Sequence, residues 1–429
     1  MFDHESTVER LRRNGAACGE LLLPGEDWIR RRVERISFVD RRLVRRHVSI
    51  DFSVPKTAEW RLDKRERLIP ISMIAKWPPL LNFDLRDGEK ALPLLTTTEN
   101  ACMDEAALLS IAKRLRGADS DLPNQIHRLT HDGQEKAVAA LRQIAQYLQC
   151  LDSSGGTRDR LLNLAKTLSE SSILWVPTRE SVGTRVLVKF AYDQPTEGES
   201  GRLLRTVTGR RNRYYMLPHL GHAGSYHLEV NVPDVVTVKS ADLLVPGPGE
   251  AGSGPETQPP DWAEDAHTQI ADRRAHLYIG RRRREASWGF FLLHTAVARN
   301  GSLWSAWATS AMITGLLAFY WLWAEKIVTV NSAAITTLLL VPTVLGYLLV
   351  RPDEHPMTRE HLAFSRVIVL LSGILPVLAA IALVAAGARP EVSAVDYWWR
   401  DLAIVGGVFT FLLTVSLAAA SSTDSAGSE

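Results

Sequence analysis

Four long apolar segments in the last third of the chain constrain its fold more than any other feature. They cover residues 303–324, 333–350, 367–387 and 402–420, and none contains an aspartate, glutamate, lysine, arginine or histidine. A hydrocarbon core about 30 Å thick is crossed by about 20 helical residues, which is close to the length of each segment. The sequence therefore predicts a four-helix transmembrane bundle in a lipid bilayer.

The distribution of basic residues predicts the orientation of this bundle. Basic residues are more numerous beside the connections on the side of the N-terminal region. On that side they are Arg281, Arg282, Arg283, Arg284, Arg299, Arg351, Arg359 and Arg366, and on the other side Lys326, Arg389 and Arg400. Because basic flanks stay inside, residues 1–300 and the tail 421–429 are predicted to be cytoplasmic, in a multi-pass plasma-membrane protein. The opening MFDHESTVERLRRNG agrees, because it lacks the apolar core of a signal peptide.

Residues at the ends and bends of the spans have predicted roles as well. Tryptophan and arginine favour the membrane interface, which indicates a set of interface anchors. These are Arg281, Arg282, Arg283, Arg284, Trp304, Trp307, Trp321, Trp323, Trp398 and Trp399. Pro342 and Pro376 are predicted helix kinks. Kinked packing is one interpretation, and a gated pore lined by Thr336, Thr337 and Ser372 is the other.

The N-terminal 300 residues have the pattern of an α+β domain. Residues 44–54 alternate between apolar and polar side chains, which predicts a strand with one buried face. Arg46 breaks the apolar parity, so the beginning of this strand is expected at a sheet edge. Strands are also predicted at 68–75, 80–86 and 90–96, with a hairpin at Asp87-Gly88. Residues 1–35 are rich in arginine and predict a helix, either with a solvated face or leaning on anionic lipid headgroups.

A helical insert at about 99–170 interrupts the strands. Thr96 and Glu99 have the spacing of a helix entrance, and helices are predicted at 101–116, 133–151 and 158–169. Strand patterns return afterwards, at 172–176, 184–192, 226–232, 235–238, 243–245, 276–280 and 287–295. This order favours a sandwich-like α+β domain with an antiparallel or mixed sheet, and residues 246–260, rich in glycine and proline, predict a disordered loop.

No motif predicts catalysis, a cofactor or a metal. The formal charge is only +2, so bulk charge predicts no nucleic-acid partner, and the three cysteines form no CxxC pair. His219, His222 and His227 lie close in sequence, but no cysteine or carboxylate completes an obvious ligand set. The glycine-rich stretches lack the ending of a phosphate-binding loop, and no GxSxG nucleophile turn is present.

The densest basic stretch of the sheet region is RLLRTVTGRRNR, residues 202–213. It is interpreted either as a solvated hairpin or as a surface for an acidic partner or phosphate-bearing ligand. The surface would consist of Arg202, Arg205, Arg210, Arg211 and Arg213.

The sequence thus predicts a non-enzymatic integral membrane protein. Its cytosolic domain would bind a protein or ligand while the bundle anchors it. Gly406 and Gly407 permit close helix contact, so a homo-oligomer is also expected. Two alternatives remain, a signal-gated membrane-permeabilising effector and a membrane-bound enzyme with an unrecognised site.

Overall fold

The computed structural model describes most of the chain, with gaps. The described residues are 9, 11–16, 21, 28–40, 43–55, 67–77, 80–115, 121–150, 155–195, 209–217, 220, 223–245, 266–280, 289–323, 355–387 and 392–421. Several predictions lie outside them: the span at 333–350 with Pro342, the loop at 246–260, Arg202 and Arg205, and the Arg281 to Arg284 cluster.

The strands of the N-terminal region form three sheets. They are β1 (Ile29–Phe38), β2 (Leu43–Ser53), β3 (Arg67–Ala75), β4 (Leu81–Asp87), β5 (Lys90–Ala91), β6 (Ser171–Thr178), β7 (Arg185–Pro195), β8 (Arg211–Leu217), β9 (Ser225–Asn231), β10 (Val236–Leu244), β11 (Ala266–Ala271), β12 (Arg274–Ile279) and β13 (Gly289–Val297). An eight-stranded sheet has the order β11-β12-β9-β1-β2-β7-β4-β5, a three-stranded sheet β10-β13-β8, and β3 pairs with β6. The β1–β9 pair is parallel and its neighbours are antiparallel, so the large sheet is mixed.

Four helices lie between β5 and β6. They are α1 (Thr97–Ala112), α2 (Leu122–His131), α3 (Gln134–Gln149) and α4 (Gly155–Glu170). The predicted entrance of α1 is confirmed, because Thr96 and Glu99 form a capping box. Together with β1–β13, these helices make up what we call the sheet domain, and the α+β prediction with a mixed sheet is confirmed.

Two hydrophobic cores share the inner face of the eight-stranded sheet. One core packs β2 and β7 against β3, β6 and the helices, around Phe52 and Trp175. The other packs β1, β9 and β12 against the three-stranded sheet, around Tyr226 and Phe291. Met357, which lies beyond the sheet domain, belongs to the second core. The sheet domain is therefore continuous with the C-terminal helices.

In the part of the chain that the structure describes, three apolar helices follow the sheet domain. A π-helical turn at Arg299–Leu303 leads into α5 (Trp304–Leu322), and α6 (Pro356–Gly387) and α7 (Val392–Ser421) complete what we call the three-helix bundle. The segments Gly301–Leu322, Pro356–Ala382 and Tyr397–Ala420 are long and apolar enough to cross a membrane. These segments indicate a membrane-associated protein. Of the predicted four spans, three are found in the described residues.

Side-chain contacts give the direction of each helix. Tyr320 of α5 contacts Trp399 of α7 with ring centroids 5.3 Å apart, and near the other end of α5 the indole Nε1 of Trp307 donates to Thr414 Oγ1. Thus α5 and α7 are antiparallel. Pro376 lies within α6, which continues past it.

Some local predictions were wrong. The helix predicted over residues 1–35 is wrong at its end, because residues 29–35 belong to β1 in the middle of the large sheet, whereas residues 11–16 are helical. Arg46 does not mark an edge, because β2 lies between β1 and β7. Helix α2 was not predicted. The Asp87-Gly88 hairpin is confirmed, with Asp87 opposite Lys90 and a left-handed φ of 59° at Gly88.

Candidate functional site

An ion-paired contact joins the sheet domain to the bundle, and we call it the junction. It consists of Arg211 and Arg213 on β8, Thr295 on β13, and Glu360 and His361 near the start of α6. Arg213 donates to a Glu360 oxygen at 3.1 Å, and Arg211 lies 4.0 Å from the other oxygen. Because Arg213 is only 3% exposed, its charge is compensated within the chain.

A second set of polar contacts supports the junction. His361 Nδ1 faces the Met357 carbonyl at 2.9 Å, and its Nε2 lies 3.0 Å from the Thr295 hydroxyl. The Thr295 hydroxyl also donates to the Arg211 carbonyl, which ties β13, β8 and α6 together. Since hydrogen bonds shielded from water hold geometry well, these contacts fix the start of α6 on the three-stranded sheet.

Close packing accompanies these contacts. A Cβ added to Gly209 would lie 2.8 Å from Val297 and 3.4 Å from the His361 carbonyl. Its φ of 64° also disfavours other residues. Val297 packs with Leu303, Leu362 and Ala420, so the beginnings of α5 and α6 and the end of α7 meet at the sheet domain.

The described arginines of the predicted basic surface contact different parts of the C-terminal helices. Arg210 donates to the Ala419 carbonyl of α7, while Arg211 and Arg213 face Glu360. These three arginines thus make contacts within the chain, and the prediction of an acidic partner at this stretch stays a prediction.

Hydroxyl groups connect the three helices inside the bundle. Ser310 Oγ lies 3.1 Å from Ser372 Oγ and 3.2 Å from Thr410 Oγ1, and Thr314 Oγ1 lies 3.0 Å from Thr410 Oγ1. Ser372 is fully buried in this contact. Such hydrogen bonds stabilise helix association in lipid, so Ser372 contributes to helix packing in this structure. The pore interpretation, which also involves Thr336 and Thr337 outside the described residues, stays a prediction.

The predicted interface anchors occupy different environments. The exposed members are Trp304, Trp321, Trp323 and Trp398, whereas Trp399 is buried against Tyr320. Trp307 is partly buried and bonded to Thr414. Their role at a membrane interface stays a prediction.

A buried ionic cluster lies between the two cores of the sheet domain. Arg32 donates to one oxygen of Glu34 at 2.6 Å, and Arg46 lies 3.5 Å from the other oxygen. Arg32 also donates to Ser72 of β3, and Arg46 to the Met216 carbonyl of β8. Burial alone raises the pKa of Glu34, but the charges of Arg32 and Arg46 outweigh it and lower that pKa. The cluster therefore ties all three sheets together.

The outer face of the eight-stranded sheet carries mostly polar and basic side chains. The cores lie on its inner face, and none of the described elements packs on the outer one. Its basic members are Arg31, Arg35, Arg45, Arg185 and Lys189, and its acidic members on the same strands include Asp51, Asp193 and Glu229. Leu187 lies among them and is 46% exposed. We call this surface the open face.

A histidine–carboxylate cluster lies between α1 and α2. Glu105, His127 and His131 place their ligand atoms within 4.8 Å of one another. Among the described residues, these are the histidine, cysteine and acidic side chains that come close enough in a group of three to hold a metal ion. Burial and then the neighbouring His127 lower the pKa of His131. The three histidines that lie close together in the sequence, His219, His222 and His227, are not part of this cluster. Of these, His227 lies on β9 beside His276, and the other two are outside the described residues.

The sequence contains one indication of this cluster, the four-residue spacing of His127 and His131. Side chains at i and i+4 lie on one face of a helix, but α2 had not been predicted. Glu105, on the preceding helix, is 22 residues away from His127 and no local pattern connects the two.

No protein-family model and no curated protein matches the chain. The function has therefore to be argued from the contacts described above.

Proposed function

We propose that this protein is a multi-pass integral protein of the plasma membrane, whose cytoplasmic sheet domain binds an acidic protein partner while the bundle anchors it. The proposal assigns it no catalytic role. The observation that carries it is the junction, in which Glu360 of an apolar helix is bound by Arg213 of the sheet domain. A module held in this way stays at the membrane surface in a fixed orientation.

The ends of the helices support an even number of crossings. Leu303 and Leu362 pack near the sheet domain, while Tyr320 and Ala379 pack together at the other end. The chain therefore leaves α5 far from the sheet domain and enters α6 beside it. A crossing between residues 323 and 355 is what we propose, and the apolar segment 333–350 is long enough, at about 27 Å when helical.

The open face supports the choice of partner. Glu229, Asp193 and Asp51 pair with Arg35, Arg45 and Arg185 on this face, so Arg31 and Lys189 supply its surplus positive charge. Such a surplus attracts an acidic surface and speeds its association. Leu187 adds exposed apolar area between Arg185 and Lys189, and apolar area is needed at the centre of an interface.

A site-specific crosslinking experiment tests the partner assignment. A photo-reactive amino acid replaces Leu187 in the full-length protein, expressed at native level in its membrane. The matched control replaces Met216, which is equally exposed at 45% but lies on β8 of the three-stranded sheet. We expect a heterologous crosslinked protein at Leu187 and none at Met216, and Lys189→Glu should weaken the crosslink.

Other outcomes would count against the proposal. Crosslinks only to a second copy of the chain would show that the open face mediates self-association and would contradict an acidic protein partner. Crosslinks at Met216 alone would remove the open face. Lys136→Glu, which reverses an exposed charge on α3, serves as the charge control and should leave the crosslink unchanged.

A further inference from the structure

Three side chains converge between helices α1 and α2. Glu105 projects from α1, and His127 and His131 project from the same face of α2 with their rings 4.3 Å apart. His127 Nδ1 lies 3.1 Å from Glu105 Oε1, and His131 Nε2 lies 3.3 Å from Glu105 Oε2. Each carboxylate oxygen thus faces a different ring nitrogen.

The two nitrogen–oxygen distances are close to the separation between two ligands of one metal ion, and all three ligand atoms lie within 4.8 Å of one another. Two ligand atoms about 2.05 Å from a tetrahedral zinc ion are about 3.3 Å apart. Two imidazoles and one carboxylate are a set that zinc and similar transition-metal ions accept, leaving a fourth position for water. The same atoms also hydrogen-bond to one another, so an experiment must separate the two roles.

Burial and charge favour a small cation here. The side chain of Glu105 is 9% exposed and that of His131 is 19% exposed, whereas His127 is 54% exposed. The cluster is therefore open to solvent on the His127 side and enclosed on the other. Arg12 lies 3.6 Å from Glu105 Oε2, with its own side chain half exposed. This guanidinium pairs with the carboxylate and would compete with a metal ion for it. Because the arginine side chain is half exposed, its charge can be solvated when a metal ion takes its place.

We propose that Glu105, His127 and His131 bind a divalent transition-metal ion of the zinc type. The site lies in the helical insert and does not depend on the function proposed for the open face. A bound ion would fix α1 against α2 through charge, in place of the contact with Arg12.

Direct titration tests the site. Full-length protein without a polyhistidine tag is purified in detergent, stripped with a chelator and titrated with Zn²⁺ by calorimetry. Co²⁺ absorption reports the coordination geometry. We expect one ion per chain, and we expect His131→Ala to weaken binding by about 100-fold or more, since even partners behind the ligands cost roughly 10–100-fold.

Two further variants separate metal binding from hydrogen bonding. Arg12→Ala removes the competing cation, so the affinity for Zn²⁺ should rise; an affinity that fails to rise would overturn the role of Glu105. The control is the pair His227→Ala and His276→Ala, two neighbouring histidines on β9 and β12 with rings 5.7 Å apart.

The remaining outcomes are also decisive. Wild-type protein that binds no Zn²⁺ would overturn the site, and so would loss of binding in the control pair. Full binding in the combined His127→Ala and His131→Ala variant would do the same. The Arg12→Ala measurement does not require the ligand variants to fold, because it leaves all three ligands in place.

Discussion

Glu34 illustrates how a single buried charge depends on its partners. It is fully buried, and its carboxylate is held between Arg32 and Arg46 on adjacent strands. Replacing this carboxylate with a neutral group leaves both guanidinium groups buried without a counter-charge, which costs more than the intact cluster contributes.

Glu34→Gln should therefore destabilise the sheet domain strongly, because it leaves Arg32 and Arg46 buried without a counter-charge. We expect the free energy of unfolding to fall by about 3–5 kcal/mol. Urea unfolding of the full-length protein in micelles, followed by tryptophan fluorescence, measures it. Glu229→Gln is the control, because Glu229 makes an exposed pair with Arg35, and such pairs contribute less than about 1 kcal/mol. Equal effects of the two substitutions would contradict the structural role of the cluster.

Asp104 is a buried carboxyl of a different kind. It is fully buried on α1, and neither of its oxygens has a hydrogen-bond partner by geometry. Burial raises its pKa to about 7, although the charge of Lys76 opposes that rise. At pH values between the two pKa values, the carboxyl group is protonated in the folded state but has lost its proton in the unfolded chain, where its pKa is near 3.8.

This difference predicts a pH dependence with a definite sign. Between about pH 4 and pH 7 the folded state binds more protons, so stability falls as the pH rises through this window. Asp104→Asn stays neutral, so its free energy of unfolding should not show the decline caused by this carboxyl group. The difference in free energy of unfolding between the variant and the wild type should therefore shift by a few kcal/mol in favour of the variant from pH 5 to pH 8. Midpoints of urea unfolding across this range measure it. Asp159→Asn, at an exposed position on α4, should follow the wild type, and parallel profiles for all three proteins would refute the assignment.

At the scale of elements, two adjacent glycines on α7 have opposite surroundings. A Cβ on Gly406 would lie 2.8 Å from the Thr314 hydroxyl of α5, whereas none of the residues that the structure describes comes within 4 Å of one on Gly407. The close approach of α5 and α7 therefore depends on Gly406.

Gly406→Leu should separate these helices, and Gly407→Leu should be tolerated. We expect a loss of about 1–3 kcal/mol for the first, which is typical of overpacking, and a small effect for the second. Resistance of the solubilised bundle to unfolding by sodium dodecyl sulfate measures both. Equal sensitivity of the two variants would contradict the described packing of α5 against α7.

The contact between β8 and α6 at the junction gives a second prediction. Glu360→Gln keeps the shape of the side chain but removes the charge facing Arg211 and Arg213. We expect faster amide hydrogen exchange in β8 and at the start of α6, because the docked helix opens more often. Arg359→Gln, an exposed neighbour, is the control. Exchange that is unchanged in Glu360→Gln would show that apolar packing alone holds α6.

Local patterns predicted some elements well and failed at others for physical reasons. The capping box at Thr96 and the turn at Gly88 depend on residues within four positions, so the sequence contains their signal. Strand β1 was missed because its inward positions include Arg32 and Glu34, whose burial depends on Arg46 in β2. The resulting mixture of charges resembles a solvated helix.

At the scale of the whole molecule, the contacts that matter most join distant parts of the chain. Arg213 and Glu360 are 147 residues apart, and Arg210 and Ala419 are 209 apart. Hydrophobic periodicity predicts which segments are helices and which side of a strand is buried, but it contains no information on such pairs. For this reason the apolar helices were predictable from the sequence and the junction was not.

The direction of the helices predicts which positions meet each side of the membrane. Tyr397, on α7, lies at the end of the bundle away from the sheet domain, whereas Ser302 lies beside it. With the sheet domain in the cytoplasm, as the basic flanks predict, Tyr397→Cys should react with a membrane-impermeant thiol reagent on intact cells. Ser302→Cys should react only after the membrane is permeabilised. The native cysteines of the sheet domain, among them Cys150, which is exposed, provide an internal control that must stay unlabelled in intact cells.

Each pattern of labelling decides between topologies. Labelling of Tyr397→Cys but not Ser302→Cys in intact cells, with Cys150 protected, supports the proposed arrangement. The reverse pattern would place the sheet domain outside. Labelling at both positions would mean that they lie on one side of the membrane, which contradicts α5 and α7 as crossing helices. Because Trp323 ends α5 far from the sheet domain and His355 contacts Phe38 within it, the first pattern also requires the chain to cross between these two residues.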